Sequence, residues 1–532
     1  MSKNKQTRES RPEFDVAVVG YGPVGAGAAL LLADAGLRVV VLERTDEVMD
    51  IPRAVGLDGE VVRAFQKIGL AERVNSVLQP RRKVDAVAFT DSKRQPYFSM
   101  ELPAFCVNGW RDLAFFDQPE FEGLLRELIA ENERIEVRLG HEVTALSQQS
   151  DRVVLGATEL SSGDAAELSA SYVIGCDGAA SFVRSSLGIG WESLGYDQDW
   201  LVVDITTKTE TDLPILSMQV CDPARITTYI CGKDPNRRWE FKMLPGETRE
   251  EMVQPERVRE ILDDWLPAEQ YSIRRAAVYQ FHAATAERWR EGRIFLAGDA
   301  AHQTPPFLGQ GLNAGFRDVI NLAWKLPLVL DGSCDESLLE TYAAERDGHA
   351  RDLVEWAVAV GELMEAYAGA EAGEAPKAPS DEQKRSGYGQ GRTAPPLRGG
   401  VVIEEQVGDG RFTGNLFAQP TVATPDRGET MLDELLGGGF ALVGRDAADL
   451  ALSEASRSFL AKIGAPILCL DPLELRHGEF DGLFESHGAA IVRPDRYVFG
   501  VADGDHSLDQ LVQRLEEKLA FAVDAPHAGG RR

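Results

Sequence analysis

The sequence predicts an α/β protein: a largely parallel sheet with helices on both faces, a mostly β insertion, and a small α/β unit at the C-terminal end. Three observations carry this. A continuous apolar run, Val16-Ala17-Val18-Val19, leads into a glycine-rich turn and a small-residue helix. Short buried strands recur at Ser171 to Gly175 and Arg293 to Ala297, each followed by a turn containing Asp and Gly. Between those two, from about Trp191 to His282, β-branched and aromatic residues alternate with turn signals.

Phe14 to Gly20 reads as a strand covered on both faces, because its apolar residues are continuous rather than alternating. The helix after it ends near Gly36, and a second strand, Arg38 to Leu42, finishes at Glu43. Pro119 suits the first turn of a helix that runs to Glu131. From Ile135 to Leu168, strand-like alternation is broken by polar turns. The insertion is punctuated by Pro223, Gly232-Lys233-Asp234-Pro235 and Pro245-Gly246.

After Pro327 come helices rich in Ala, Glu and Leu. The stretch Ala370 to Gly400, dense in Ala, Gly, Pro and charge, reads as a linker. Beyond it, strands at Gly439 to Val443, Ile467 to Leu470, Ala489 to Arg493 and Tyr497 to Gly500 alternate with helical runs. The expected division is 1–190 and 286–370 for the sheet-and-helix part and 191–285 for the insertion, with strands near 80–105 joining the latter. The linker is 371–400 and the last unit 401–532, joined to the rest rather than woven into it and dispensable for chemistry.

With 85 acidic against 56 basic residues the formal charge is -29, which excludes nucleic acid and anionic lipid as partners. No apolar run approaches the ~20 residues of a membrane span, and Met1 to Glu13 is polar, so a cytoplasmic location is expected. The cysteines (Cys106, Cys176, Cys221, Cys231, Cys334, Cys469) form no CxxC and no cluster with His, which argues against disulfides and metal.

Gly20, Gly22 and Gly25 form GxGxxG after a strand and at the start of a helix, with Glu43 18 positions beyond Gly25. Glycines there let a pyrophosphate approach the helix N-terminus, whose free N–H groups favour anions, while the acid accepts from ribose hydroxyls. The chain is thus expected to bind a dinucleotide. A second motif, Gly298-Asp299-Ala300-Ala301-His302, continues through Pro305-Pro306-Phe307-Leu308-Gly309-Gln310-Gly311-Leu312-Asn313. Asp299 at a strand end could bond the ribityl chain of a flavin, and His302 reads as a structural hydrogen-bonding residue. The following helix has an apolar stripe (Leu312, Phe316, Val319, Ile320, Ala323, Leu326) with Arg317, Asn321 and Lys325 expected on the opposite face. Its N-terminus would stabilise the anionic edge of a reduced flavin. The third motif is Asp177-Gly178-Ala179-Ala180-Ser181-Phe182-Val183-Arg184, with Ser181 as a helix cap.

As a set, in this order, the three motifs resemble the FAD-dependent aromatic hydroxylases of the para-hydroxybenzoate hydroxylase fold, over about residues 14–370. Pro52-Arg53-Ala54-Val55, Tyr279-Gln280-Phe281-His282-Ala283 and Ala286-Glu287-Arg288-Trp289 look most like the 3-(3-hydroxyphenyl)propionate hydroxylase subgroup. The resemblance implies a Rossmann-like FAD-binding domain, an inserted β-rich substrate domain, and a thioredoxin-like C-terminal domain. That last domain lacks a cysteine pair, so packing or a homodimer contact is its expected use. By the same resemblance Glu43, with Arg44 beside it, would bind the adenosine ribose. Arg53 and Gln118 would contact FAD, Asp299 the ribityl chain, and Gly298, Gly311, Leu312 and Asn313 would surround the flavin. Asp177 and Arg184 belong to a motif associated with FAD and NAD(P)H. The implied reaction is reduction of FAD by NADH or NADPH, formation of a flavin C4a-hydroperoxide with O₂, and hydroxylation of a phenolic ring.

For the substrate, the expected binding side chains are Arg225, Tyr229, Trp239 and Phe241, and the expected catalytic residues are His282, Tyr279 and Pro306. An Arg could pair with a carboxylate, and a Tyr or His could help ionise a phenol. Two alternatives stay open: a hydroxylase of a polycyclic natural product or drug, and a non-catalytic flavoprotein that sequesters a ligand. A flavin halogenase is disfavoured, because the eight tryptophans include no WxWxIP.

Overall fold

The computed structural model describes residues 11–519 apart from 49, 83–85, 104–105, 373–393, 409–411, 425–427 and 481. Most of the expected linker therefore lies outside the described residues. One sheet runs, edge to edge, through Ile135–Arg138, Val39–Leu42, Phe14–Val19, Ala165–Gly175, Ile294–Leu296 and Arg290–Glu291. Four of the five pairings in this row are parallel, so the strand ends at Val19, Gly175 and Leu296 emerge on the same side. The chain continues the ladder by one residue at each: Gly20 N–H donates to Leu42 O, Cys176 N–H to Val19 O, and Ala297 N–H to Gly175 O. The three motifs found along the sequence follow these three ends.

The short strand expected at Ser171 to Gly175 is the second half of an 11-residue strand, Ala165–Gly175. Its first half pairs with a hairpin formed by Val153–Glu159 and His141–Gln148 and alternates between exposed and buried residues. Only the second half is covered on both faces, and only that half carries the continuous apolar signal.

A second sheet has the order His302–Gln303, Tyr271–Ala286, Trp191–Thr207, Asn236–Lys242, Thr227–Ile230, Ser217–Val220, Ala86–Thr90, Pro96–Glu101. Two short helices, Arg249–Met252 and Pro255–Leu262, interrupt the strands and cover one face of this sheet. The C-terminal part holds a four-stranded sheet in the order Ile467–Cys469, Ala441–Gly444, Ala489–Val492, Val498–Val501. Helices Glu454–Lys462 and Leu508–Leu519 pack with it. Among the described residues no helix is long and apolar enough to cross a membrane.

The helix Gly311–Leu330 connects all of these parts, and here the structure corrects the expectation. Arg317, Asn321 and Lys325 do not face water: Arg317 is 4% exposed, Asn321 2% and Lys325 0%. Their partners come from distant segments. Lys325 Nζ lies 2.8 Å from Glu345 Oε2, which also receives Asn321 Nδ2 at 2.6 Å and Arg493 Nη2 at 2.7 Å. Arg493 binds Asp495 as well, and Asp495 accepts from Trp324 Nε1 at 3.0 Å. Burial alone pushes the Glu345 carboxyl up, but Arg493 and Lys325 outweigh it and hold it far below the ordinary range. Burial brings Lys325 down to about 8, against the pull of Glu345.

The last unit is accordingly woven in, contrary to expectation. Besides Arg493, Arg63 binds Asp433 at 2.7 Å, and Tyr497 donates to Glu60 Oε1 at 3.1 Å, all buried. A linker composition says how two parts are joined, not how their faces meet. Removing one member of a buried charge cluster leaves the others unpaired in a medium of low dielectric. Arg493→Ala is expected to lower the free energy of unfolding by about 3–5 kcal/mol. Urea denaturation followed by flavin fluorescence and circular dichroism checks this; a loss of under about 1 kcal/mol, typical of an exposed pair, would contradict it.

Candidate cofactor and substrate site

Gly20, at the end of the first strand, has φ +102°, and a Cβ there would stand 2.5 Å from Cys176 O. A Cβ on Gly25 would stand 2.1 Å from Gly20 O, so turn and helix meet backbone to backbone. Gly22 differs: among the described residues nothing lies within 4 Å of its Cβ position, which leaves the turn open on one side. The helix Pro23–Asp34 has no side-chain cap and no acid in its first turn, so its leading N–H groups are available to an anion. Glu43 braces the turn, accepting from Tyr21 N–H at 2.8 Å and from Thr45 N–H and Oγ1 at 2.9 and 2.8 Å. Arg44 is exposed beside it. These features fit a dinucleotide pyrophosphate and its ribose.

The second and third strand ends differ in what their acids do. Asp177 accepts from Ser181 Oγ and, at 3.0 Å, from Val183 N–H, which ties it to the start of the short helix Phe182–Ser186. Arg184 is buried, stacked 4.0 Å over the Trp191 ring, and donates to Ala179 O at 3.1 Å and Ala300 O at 3.5 Å. Both residues hold motif loops together, and neither lines the cavity described below. Asp299 is exposed in the cavity wall and makes no hydrogen bond or ion pair among the described residues. Its neighbour Gly298 is fixed instead by Asp318, which accepts Gly298 N–H at 2.9 Å, His302 Nε2 at 2.8 Å and Arg346 Nε at 2.9 Å. His302 is thus structural, as expected.

The turn Pro306–Leu308 ends at Gly309 (φ +62°) and delivers the chain to the helix Gly311–Leu330, whose cap, Gln310, makes no side-chain bond to the first turn. Gly311 and Leu312 line the cavity. Asn313 does not: its side chain accepts Asp58 N–H at 2.9 Å and donates to Gly309 O at 2.9 Å and Gly56 O at 3.3 Å, locking the strand Gly56–Asp58 to the helix.

The cavity has a volume of ≈ 300 Å³. It is lined from the strand-end motifs, their loops and the helix start by Gly22, Arg53, Gln118, Gly298, Asp299, Gly311 and Leu312, from the second sheet by Val87, Met100, Gln219, Thr228, Arg238 and Glu240, and by Pro306 and Phe307. Gln118 Oε1 accepts the N–H groups of Arg53 (2.9 Å) and Ala54 (2.7 Å) and so shapes that loop. The Arg53 guanidinium makes no hydrogen bond or ion pair among the described residues.

Most of the expected substrate residues lie elsewhere. Trp239 and Phe241 are buried in the core beneath helix Pro255–Leu262. Tyr229 borders the cavity, but its ring stacks on Trp265 and its hydroxyl donates to Pro214 O at 2.9 Å. Arg225 pairs with Glu247 and donates to Lys242 O. His282 pairs with Asp197, and Tyr279 accepts from Arg275 at 3.1 Å; neither is in the lining. The reason is the period of two along a strand. In Asn236–Lys242 the aromatic residues turn to the face covered by helices, and Arg238 and Glu240 turn to the cavity. Reasoning from aromaticity picked the wrong parity. The usable signal was Arg238-x-Glu240, charges alternating with aromatics, ahead of a helical segment able to cover the aromatic side.

An FAD binding domain model matches residues 13–357, and an HcaD C-terminal domain model matches residues 414–518. A probable NADH-specific resorcinol 4-hydroxylase of Rhodococcus jostii (strain RHA1) is 34% identical over 97% of each chain. A 3-(3-hydroxy-phenyl)propionate/3-hydroxycinnamic acid hydroxylase of Burkholderia cenocepacia (strain HI2424) is 33% identical over 94% of this chain and 95% of that one. Among solved structures, aklavinone-11 hydroxylase with FAD and aklavinone superposes with a TM-score of 0.79 at 24% identity, covering 96% of this chain and 99% of that one. Anhydrotetracycline hydroxylase of Streptomyces rimosus gives 0.72 at 24% identity, over 97% and 100%. These two share the fold.

The unequal surroundings of the two acids make a prediction. Asp299→Ala should weaken FAD binding by about tenfold or more, the loss of a charge-assisted hydrogen bond. Asp177→Ala should lower thermal stability by roughly 1 kcal/mol through the lost hydrogen bonds to Ser181 and Val183, with FAD affinity nearly unchanged. Fluorescence titration of the apoproteins with FAD checks this; equal FAD affinity in both variants would contradict it.

Proposed function

Because the chain belongs to the family of FAD-dependent aromatic hydroxylases, we propose that it places one oxygen atom of O₂ on a phenolic ring held between the turn Pro306–Leu308 and the second sheet. Its cofactor is FAD, and NAD(P)H supplies the electrons; the NADH-specific relative favours NADH. The observation that carries the reading is the convergence of three strand-end motifs on one cavity that the second sheet also lines. Bound and reduced, FAD supplies the activation of O₂ that lets an electron-rich ring carbon be hydroxylated.

The chain's own residues hold, orient and exclude. The Gly20 to Gly25 turn and the following helix N-terminus would take the pyrophosphate, Glu43 the adenosine ribose, and Asp299 the ribityl hydroxyls. Arg53 and Gln118 would border the isoalloxazine. The uncapped N–H groups at Gly311 and Leu312 would stabilise negative charge on its pyrimidine edge. Phe307, Leu308 and Met100 would keep water from the reacting carbon. In this reading 1–190 and 286–370 form the FAD part and 191–285 the substrate part; the pairing of Ala86–Thr90 with Ser217–Val220 supports counting the strands near 80–105 with the latter. Residues 401–532 would be a thioredoxin-like unit acting as a structural clamp.

The relatives named for resorcinol and for 3-(3-hydroxy-phenyl)propionate favour a single-ring phenol over a polycyclic product. The purified flavoprotein is expected to oxidise NADH slowly alone and clearly faster when a meta-substituted phenol is added, with little hydrogen peroxide released. Paired absorbance and peroxide assays over a phenol series check this. The same rate with every phenol, and all consumed O₂ recovered as peroxide, would identify an NADH oxidase instead.

A further inference from the structure

We propose that Glu240 recognises the substrate and selects a phenol bearing a second ring hydroxyl over one bearing a carboxylate. This rests on the hydroxylase reading above and specifies its substrate class. Glu240 sits in mid-sheet, directly opposite Thr228, which in turn faces Gln219, so the three side chains share the cavity face. Two of them satisfy each other. Thr228 Oγ1 donates to Gln219 Oε1 at 2.5 Å, and Gln219 Nε2 donates to Phe307 O at 3.3 Å. Glu240 is different: it is 2% exposed, and its Oε2 has no hydrogen-bond partner among the described residues. Its Oε1 lies 4.0 Å from Arg238 Nη1, beyond hydrogen-bonding distance.

A buried acceptor left without a donor is costly, and a ligand that supplies the donor recovers that cost on binding. The cations nearby are already engaged. Arg238 is held by Asp204 at 2.7 Å and by the carbonyls of Pro52 and Arg53, and Arg275 by Asp204 at 2.6 Å. Arg53, the other guanidinium in the lining, is not among the charges that act on Glu240. Burial pushes the Glu240 carboxyl up to about 7, against Arg238 and with Asp204 adding to it. In either protonation state the group can pair with a hydroxyl. While Glu240 is ionised, a ligand carboxylate placed against it would meet a like charge at low dielectric, with Arg238 and Arg275 both engaged by Asp204. The ligand class that fits is a neutral polyhydroxybenzene: one hydroxyl activates the ring, and a second donates to Glu240.

The test compares resorcinol with 3-(3-hydroxyphenyl)propionate in the FAD-loaded wild type and in Glu240→Gln, measuring kcat and KM for ring hydroxylation. The wild type is expected to favour resorcinol in kcat/KM by about tenfold or more. Glu240→Gln should shrink that ratio by about tenfold, through a higher KM for resorcinol and a lower one for the acid. A residue important only for folding would depress both substrates alike, and an unchanged ratio would overturn the proposal. So would a wild type that prefers the acid, a result that needs no variant at all. If the wild type hydroxylates neither ring, the hydroxylase reading itself fails, and this inference with it.

Discussion

The seating of one helix, Gly311–Leu330, determines whether this protein has a site. Its N-terminal turn forms part of the cavity, yet the forces that fix it act along its length, through charged groups sealed away from water. Asp318 anchors Gly298 beside the cavity and gathers His302 and Arg346 around itself. Arg317 reaches Glu60 at 2.6 Å and Asp58 at 3.0 Å, and Asp58 lies on the short strand that Asn313 locks in place. Lys325 and Asn321 meet Glu345 and, through Arg493, the C-terminal sheet. Apolar packing alone would leave a helix free to slide or rotate by small steps. Ion pairs with fixed geometry in a dry interior do not permit this, because each unpaired charge is costly. The C-terminal part therefore contributes to the site without touching it.

The second sheet follows a complementary logic. Its helix-covered face is apolar, and its cavity face carries a row of polar groups, so the same strands provide both a core and a recognition surface. Arg238 links the two functions. It satisfies Asp204 within the sheet and holds the carbonyls of Pro52 and Arg53, setting the loop that brings Arg53 into the cavity lining.

What could be read from the sequence was local. Strand, glycine turn and helix lie within a few residues of one another, so Gly20 to Gly25, Glu43 and the turns at Asp177 and Asp299 were recognisable, as was the parallel sheet that brings them together. The polar side of helix Gly311–Leu330 was misread because amphipathic periodicity cannot tell water from a distant ion partner; Lys325 and Glu345 are 20 residues apart, Glu345 and Arg493 148. Trp239 and Phe241 were misplaced because a strand's alternation reveals two faces but not which one a ligand meets. The bracing role of Asp177, beside the cap Ser181, is hidden for a related reason: an acid at a strand end can serve the backbone or a ligand, and only the neighbouring groups decide.

The central claim is that this cavity places a phenolic ring against FAD so that oxygen reaches the ring rather than solvent. A single-turnover experiment tests it most directly: protein reduced anaerobically with NADH in the presence of resorcinol, then mixed with ¹⁸O₂, with the product and any peroxide analysed by mass spectrometry. The account predicts one ¹⁸O atom in the ring for each FAD reoxidised. An unlabelled ring with all the ¹⁸O in hydrogen peroxide would contradict it.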